Sequence, residues 1–130
     1  MATAPAFAVT PHNMCGLVPA TADTSSTAPT NVTTLGSAAS TGTKISQIDV
    51  IPVGTTVAGI VNIFIYDGSA YHLLTPVTIG AATVNTTNAP LPQTFTYDNL
   101  SLLTGWSLRC TTTVTGNESL VTVNAYGADY

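Results

Sequence analysis

The chain has 130 residues, which suits one domain that buries a core without needing disulfides or metal. Only 6% of the residues are charged, against roughly 25% in an average soluble domain, and the net charge is −4. Two basic residues are too few for nucleic-acid binding or for a polybasic contact with lipid. No stretch approaches the roughly 20 apolar residues of a membrane helix, and the N-terminus lacks the basic region of a secretory signal. We therefore expect no nucleic-acid or membrane partner and synthesis in a cytoplasm.

The scarcity of charge bears on how the surface is used. A folded monomer of 13.3 kDa exposes on the order of 6,500 Å². Either hydroxyls and amides solvate this area, or much of it is covered by other subunits. Charged residues are depleted at the cores of interfaces, which favours a constitutive assembly. The charged residues are Asp23, Lys44, Asp49, Asp67, Asp98, Arg109, Glu118 and Asp129.

Residues 1–42 differ in composition from the rest of the chain. Four of the eight prolines lie here among Ala, Ser and Thr, and apolar residues come in short groups. Gly36 to Gly42, GSAASTG, is typical of a loop or linker. These residues are typical of an extended arm or a loosely structured edge, and we predict an extended N-terminal arm over residues 1–42 and a β-sandwich domain over 43–130. A floppy tail is the alternative, although a pure linker would not need large apolar residues.

Strand patterns begin after the arm. Residues 45–53 form an apolar segment broken by Pro52. From Gly59 to Tyr66 the residues alternate between two faces, and both faces are largely apolar, so this strand is central or covered on both sides. Ile60, Asn62, Phe64 and Tyr66 share one face, while Val61, Ile63 and Ile65 share the other.

A hairpin follows this strand. Asp67-Gly68 is a strong turn signal because both residue types tolerate the positive φ of tight turns. The chain then returns antiparallel over Tyr71 to Leu74, and Pro76 ends the regular pairing because proline cannot donate to the ladder. Residues 80–92 form a long loop or a weak edge strand.

The last third of the chain continues the alternation. It places Trp106, Leu108 and Cys110 on one face of a strand, marks a turn at Gly116-Asn117, and sets Val121 and Val123 against polar neighbours. Six to eight short strands without a helical period predict an antiparallel β-sandwich, jelly-roll-like or Greek-key. The strand residues predicted to form the core or contacts between copies are Ile60, Phe64, Tyr66, Tyr71, Leu73, Trp106, Val121 and Val123.

Residues that could carry chemistry are few and scattered. His12 lies in the arm and His72 in a strand, and a lone strand histidine is more often packed or edge-exposed than a base. A zinc set drawn from both histidines and both cysteines lacks the tight local pairs that such sites show. Asp67 and Asp98, the candidate pair for glycoside hydrolysis, both lie in turn sequences. We expect no enzyme, no cofactor and no metal, with Cys15 and Cys110 as two free thiols by default.

Sugar binding by exposed aromatic residues is the main alternative function. The candidates would be Tyr97, Trp106, Tyr126 and Tyr130. Core packing is favoured for Tyr97 and Trp106, because large aromatic side chains contribute most when they are buried.

A resemblance to a known family rests on three segments, GTKISQIDVIPVGTTVAGIVNIFIYDGSAYHLL, LTGWSLRCTTT and VTVNAYGADY. Together they resemble small virion proteins of tailed bacteriophages, over about residues 43–130, and specifically the capsid decoration, or cement, proteins. The matching residues are hairpin and core positions: Phe64, Asp67, Gly68, Tyr71, Leu73, Gly105, Leu108 and Arg109.

The resemblance implies a structural virion protein on the capsid surface that binds major capsid subunits and stabilises the shell, usually as a homotrimer. A carbohydrate-binding module, or a receptor-binding or tail component of a phage, remains the alternative. We expect the sandwich to assemble through Ile60 to Tyr66 and Leu120 to Tyr126, with the arm lying over neighbouring capsid subunits. Deleting residues 1–35 is then expected to weaken capsid attachment and leave the fold intact.

Overall fold

Alternating burial along extended segments defines the architecture. The computed structural model describes residues 7–130, and within that range it contains eight β-strands. They are β1 (Thr10–Leu17), β2 (Thr33–Ser37), β3 (Thr43–Pro52), β4 (Gly59–Tyr66), β5 (Tyr71–Ile79), β6 (Gln93–Leu102), β7 (Ser107–Thr112) and β8 (Val121–Asp129). No segment of this range forms a helix long and apolar enough to cross a membrane.

The strands form two four-stranded antiparallel sheets, in the orders β1-β8-β3-β6 and β2-β7-β4-β5. The pairs β1–β8, β2–β7, β3–β6 and β4–β5 are those of one long hairpin folded over on itself. This is the strand order of a jelly roll. The prediction of an antiparallel β-sandwich is confirmed, and strand order selects the jelly roll from the two topologies that the sequence left open.

The core lies between the sheets and is built from the inward residues of all eight strands or their ends. Burial raises the pKa of the Cys110 thiol to about 12, while Cys15 is exposed on β1, and both cysteines are free. Fully buried apolar side chains of the core include Ile45, Ile48, Val61, Ile63, Leu102, Leu108, Val121 and Val123.

The predicted arm contributes directly to the sandwich. Within residues 1–42, of which 1–6 lie outside the described residues, β1 pairs with β8 and β2 pairs with β7. Met14, Val18 and Leu35 from this segment are buried in the core. Each of these strands buries only one or two apolar residues among Pro, Gly and Thr, so no period-two pattern appears in the sequence. The boundary predicted at residue 42 therefore does not separate an arm from the sandwich.

Connections of different length cluster at opposite ends of the sandwich. Because successive strands run in opposite directions, residues 18–32, 53–58, 80–92 and 113–120 meet at one end, which we call the long-loop end. Residues 38–42, 67–70 and 103–106 meet at the other, the short-turn end. Backbone hydrogen bonds link neighbouring long loops, from Val53 to Leu120 and between Thr56 and Ala82.

The predicted β4–β5 hairpin is present, and Gly68 has a φ of 97° in its turn. The pairing does not end at Pro76, however, because Pro76 lies opposite Asn62 and β5 continues to Ile79. β5 is an edge strand with β4 as its single neighbour in the sheet. A residue without an N–H group is tolerated there, because the missing donor can face away from the ladder.

Candidate interaction surface

Five of the eight predicted strand residues meet on the solvent side of β4 and β5. Tyr66 lies opposite Tyr71 and Phe64 opposite Leu73, while their neighbours Val61 and Ile63 point into the core. We call Ile60, Phe64, Tyr66, Tyr71 and Leu73 the outer β4–β5 face.

Burial on the outer β4–β5 face is uneven. Phe64 is fully buried although it points away from the core, and the ring of Tyr71 packs against it edge-on with centroids 5.8 Å apart. Asn62, on the same side of β4, is also buried. Ile60 and Leu73 are 40% and 43% exposed. The sequence predicts that β4 is central or covered on both sides. β4 lies between β7 and β5 in its sheet, and both faces are covered at its middle, while Ile60 and Leu73 leave apolar surface exposed on the outer face.

Arg109 of β7 organises the aromatic end of this face. Its guanidinium carbon lies 4.0 Å from the centroid of the Tyr66 ring. Its Nη1–H donates to the Tyr71 hydroxyl at 2.9 Å, and its Nε–H donates to the Ser107 hydroxyl at 3.0 Å. One of the two basic residues of the chain thus binds the hairpin to β7 by a cation–π contact with Tyr66 and a hydrogen bond to Tyr71, while the bond to Ser107 within β7 orients the guanidinium. It also covers one face of the Tyr66 ring.

The hairpin turn beside this cluster is held by the Asp67 carboxylate. Oδ1 accepts from the N–H groups of Ala70 at 2.8 Å and Ser69 at 2.9 Å, and Oδ2 lies 2.9 Å from His72 Nε2. These contacts, first that with Ala70 and then that with His72, hold the pKa of Asp67 far below its usual range. The motif residues Phe64, Asp67, Gly68, Tyr71 and Arg109 are therefore assembled by structure at the short-turn end.

The other predicted strand residues lie elsewhere. Val121 and Val123 are fully buried in the core through β8, so their side chains cannot contact another copy. Trp106 lies in the turn before β7 and packs, partly buried, against the core. Tyr97 also packs against the core, and its hydroxyl lies 2.6 Å from Thr75 Oγ1. These two aromatic side chains are engaged in packing, which disfavours the sugar-stacking alternative for them.

A second polar cluster joins three strands and was missed by sequence reasoning. His12 Nδ1 of β1 and the hydroxyl of Thr43 of β3 both reach Asp129 Oδ1 of β8, at 2.6 and 2.7 Å. The bonds from Thr43 and His12 lower the pKa of Asp129. The fully buried Thr43 hydroxyl donates this hydrogen bond to the carboxylate, and the arrangement links β1, β3 and β8. His12 and Asp129 are 117 residues apart, and no local pattern signals their contact.

The residues considered for chemistry do not converge. Asp67 follows β4 in one sheet, whereas Asp98 lies within β6 of the other. Cys15 is exposed on β1 and Cys110 is in the core. Within residues 7–130 there is no group of three His, Cys, Asp or Glu side chains that could hold a metal ion.

Comparison with known proteins gives weak structural matches and no match to a family or a curated protein. No protein-family model matches the chain, and no curated protein matches it. Similar solved structures include two crystal structures of a pentameric capsid protein isolated from metagenomic phage sequences. The first is 16% identical over 95% of this chain and 64% of its own, with a TM-score of 0.45, so this chain spans less than two thirds of that protein. The second is 16% identical over 95% and 71%, with a TM-score of 0.42. Both scores are too low to establish a common fold, and the class of this chain rests on its own strand order.

Proposed function

We propose that this chain is a structural protein of a bacteriophage particle, a decoration protein that binds major capsid subunits as a homotrimer. The observation that carries the proposal is the surface. Eight charged side chains share 6777 Å² of exposed area on a jelly roll, a fold that viral capsid domains use. Such a surface suits a protein that is permanently bound to other subunits. Free domains usually carry net and interspersed charge, which prevents them from associating.

Several of the charged side chains also make contacts within the molecule. Arg109 lies on Tyr66, while the carboxylates of Asp23, Asp67 and Asp129 accept hydrogen bonds from their own chain. Uncharged apolar side chains are exposed beside them, among them Ile60 and Leu73 on the outer β4–β5 face. We assign the contact between copies to this face. The assignment to a phage particle rests on the resemblance over residues 43–130. Binding of many capsid subunits at once would stabilise the assembled shell by mass action.

The first test is the native mass of the purified chain, measured by light scattering after size-exclusion chromatography. One chain has a mass of 13.3 kDa, and we expect the native mass to be three times this value. A defined oligomer with another number of copies would contradict the trimer but support a constitutive assembly. A monodisperse monomer would overturn the argument from charge, because it would show that hydroxyls and amides solvate this surface unaided.

The second test separates decoration from the alternatives. Shells of the phage that encodes the chain are prepared without it, mixed with purified protein and sedimented, and the bound copies are counted by electron microscopy. We expect saturable binding at fixed positions of the lattice and shells that resist heating better. Absence of shell binding together with a hit on a glycan array would favour the carbohydrate-binding or receptor-binding alternative.

A further inference from the structure

An apolar cavity of about 600 Å³ opens at the long-loop end, a size typical of ligand pockets. Its floor includes Pro52 and Ile79, both buried, and its walls come from the β5–β6 loop, residues 80–92. Leu91 stands on the rim and is 81% exposed. None of the described residues that line the cavity is charged. The cavity therefore suits an uncharged apolar occupant.

The loop around the cavity is held by hydrogen bonds at its beginning and in its middle. Thr56 and Ala82 exchange backbone hydrogen bonds of 2.8 and 3.1 Å, and the Thr56 hydroxyl donates to the Gly80 carbonyl at 2.9 Å. Asn85 Oδ1 accepts from the N–H groups of Thr87 and Asn88, each at 2.9 Å. An occupant would thus meet a largely formed site and would not have to order the loop itself.

A matching apolar segment projects from the opposite end of the molecule. Phe7 and Val9, just before β1, are 73% and 75% exposed, and no side chain in residues 1–9 is charged. The Val9 N–H donates to the Asp129 carbonyl at 2.9 Å, which fixes this segment at the short-turn end. Two large apolar side chains are therefore held out into solvent where β1 begins.

The segment cannot reach the cavity of its own chain. The eight residues of β1 separate the two ends of the sandwich by about 26 Å. Phe7 lies two residues before Val9, which allows a reach of about 7 Å. Any contact between the segment and such a cavity must therefore join two copies.

We propose that the segment Phe7–Val9 of one copy inserts into the cavity of a second copy, with Phe7 packed between the floor and Leu91. The contact is heterologous, since different surfaces of the two copies meet, and such contacts form a ring where the rotation between copies closes and a filament where it does not. It rests on the oligomer of the proposed function and adds a second contact to that made by the outer β4–β5 face. Neither surface is charged, so neither leaves a buried ion unpaired on docking.

Cysteine cross-linking tests this contact in the full chain. The double variant Phe7→Cys/Leu91→Cys is made in a Cys15→Ser background, in which buried Cys110 stays unreactive. The control is Leu103→Cys/Leu91→Cys, because Leu103 is also exposed at the short-turn end. We expect the first variant to form covalent multimers on mild oxidation at least about tenfold faster than the control, since docking raises the effective thiol concentration towards the millimolar range.

The outcomes distinguish this contact from the proposed function. If the double variant keeps the native mass of the oligomer but cross-links no faster than the control, the contact between Phe7 and the cavity is wrong and the oligomer of the proposed function is retained. A monomer in every variant overturns both.

A second measurement uses a fluorescent dye to test whether the segment Phe7–Val9 fills the cavity. In Phe7→Asp the cavity should be vacated, and we expect the fluorescence of added anilinonaphthalene sulfonate to rise several-fold over that with the unsubstituted chain. A synthetic peptide APAFAVT should displace the dye, whereas APADAVT should not. Dye that stays bound in the presence of APAFAVT would show that the cavity takes a small apolar ligand, and it would overturn the proposal.

Discussion

Gly127 in β8 packs against the main chain of β3. A Cβ atom at this position would overlap the carbonyl oxygen of Lys44, which is backbone and cannot rotate away. We predict that Gly127→Ala lowers the free energy of unfolding by about 1–3 kcal/mol, the usual cost of overpacking a tight site. Urea unfolding followed by tryptophan fluorescence measures the change.

Gly80→Ala is the matched control for this substitution. A Cβ at Gly80 meets nothing within 4 Å, and its φ lies outside the range that disfavours side chains. This variant should unfold at the urea concentration of the natural chain or slightly above it, because alanine restricts the unfolded state. Equal losses in the two variants would show that close approach at Gly127 is not the cause.

The Asp23 carboxylate shapes the 18–32 loop and gives it a pH dependence. The N–H groups of Asn31, Ser25 and Thr30 hold its pKa at about 2, below the ordinary 3.8. A lowered folded pKa stabilises the protein above about pH 4, and this contribution is lost as the pH falls towards 2. We predict that Asp23→Asn destabilises the chain near pH 6 and that its difference from the natural chain shrinks by about pH 2.

Urea unfolding at the two pH values measures this difference, with Asp98→Asn, at an exposed position of β6, as the control. A deficit in Asp23→Asn that stays constant between the two pH values would mean that ionisation of Asp23 does not contribute.

At the scale of elements, β1 and β2 decide what truncation does. Deleting residues 1–35 removes β1 and the buried side chains of Met14, Val18 and Leu35. Each is worth about 1.5–3 kcal/mol of burial, against a total stability of about 5–15 kcal/mol for a domain. The deletion is therefore predicted to abolish cooperative unfolding, contrary to the expectation from sequence that the fold survives. Circular dichroism during urea titration measures the outcome, with deletion of residues 1–6 as a control that keeps the eight strands of residues 7–130.

At the scale of the whole molecule, scarce charge and exposed apolar surface lead to the same prediction. Leu73→Lys places a cation on the outer β4–β5 face, where it would be buried without a partner if copies meet there. We predict a fall in native mass by light scattering with little change in unfolding, since Leu73 is 43% exposed. Leu103→Lys, in the β6–β7 turn outside the outer β4–β5 face and 57% exposed, should leave the mass unchanged. An equal fall in both variants would point to general repulsion and away from this face.

A strand can be predicted from the sequence when enough apolar side chains mark the face that it buries. β8 alternates over Val121 to Tyr126 and β4 is apolar on both faces, and for both strands the sequence predicts the face that the structure turns into the core. β1 and β2 have few inward apolar side chains and were predicted as an arm. The candidate surface shows the same division, because Tyr66 and Tyr71 are joined by a recognisable turn, while Arg109 lies 38 residues beyond Tyr71 in the chain.

By itself, the sequence determined that this protein is made of short antiparallel strands, where the β4–β5 hairpin turns, and that its surface holds few charges. These features depend on side-chain shape, backbone preference and composition, which act within a few residues. Only the tertiary structure decided that β1 pairs with β8, that Arg109 lies on Tyr66, and that the exposed Phe7 and the apolar cavity stand at opposite ends. Those contacts join segments far apart in the chain, and their free energy comes from burial and hydrogen bonding that exist only once both sheets have formed.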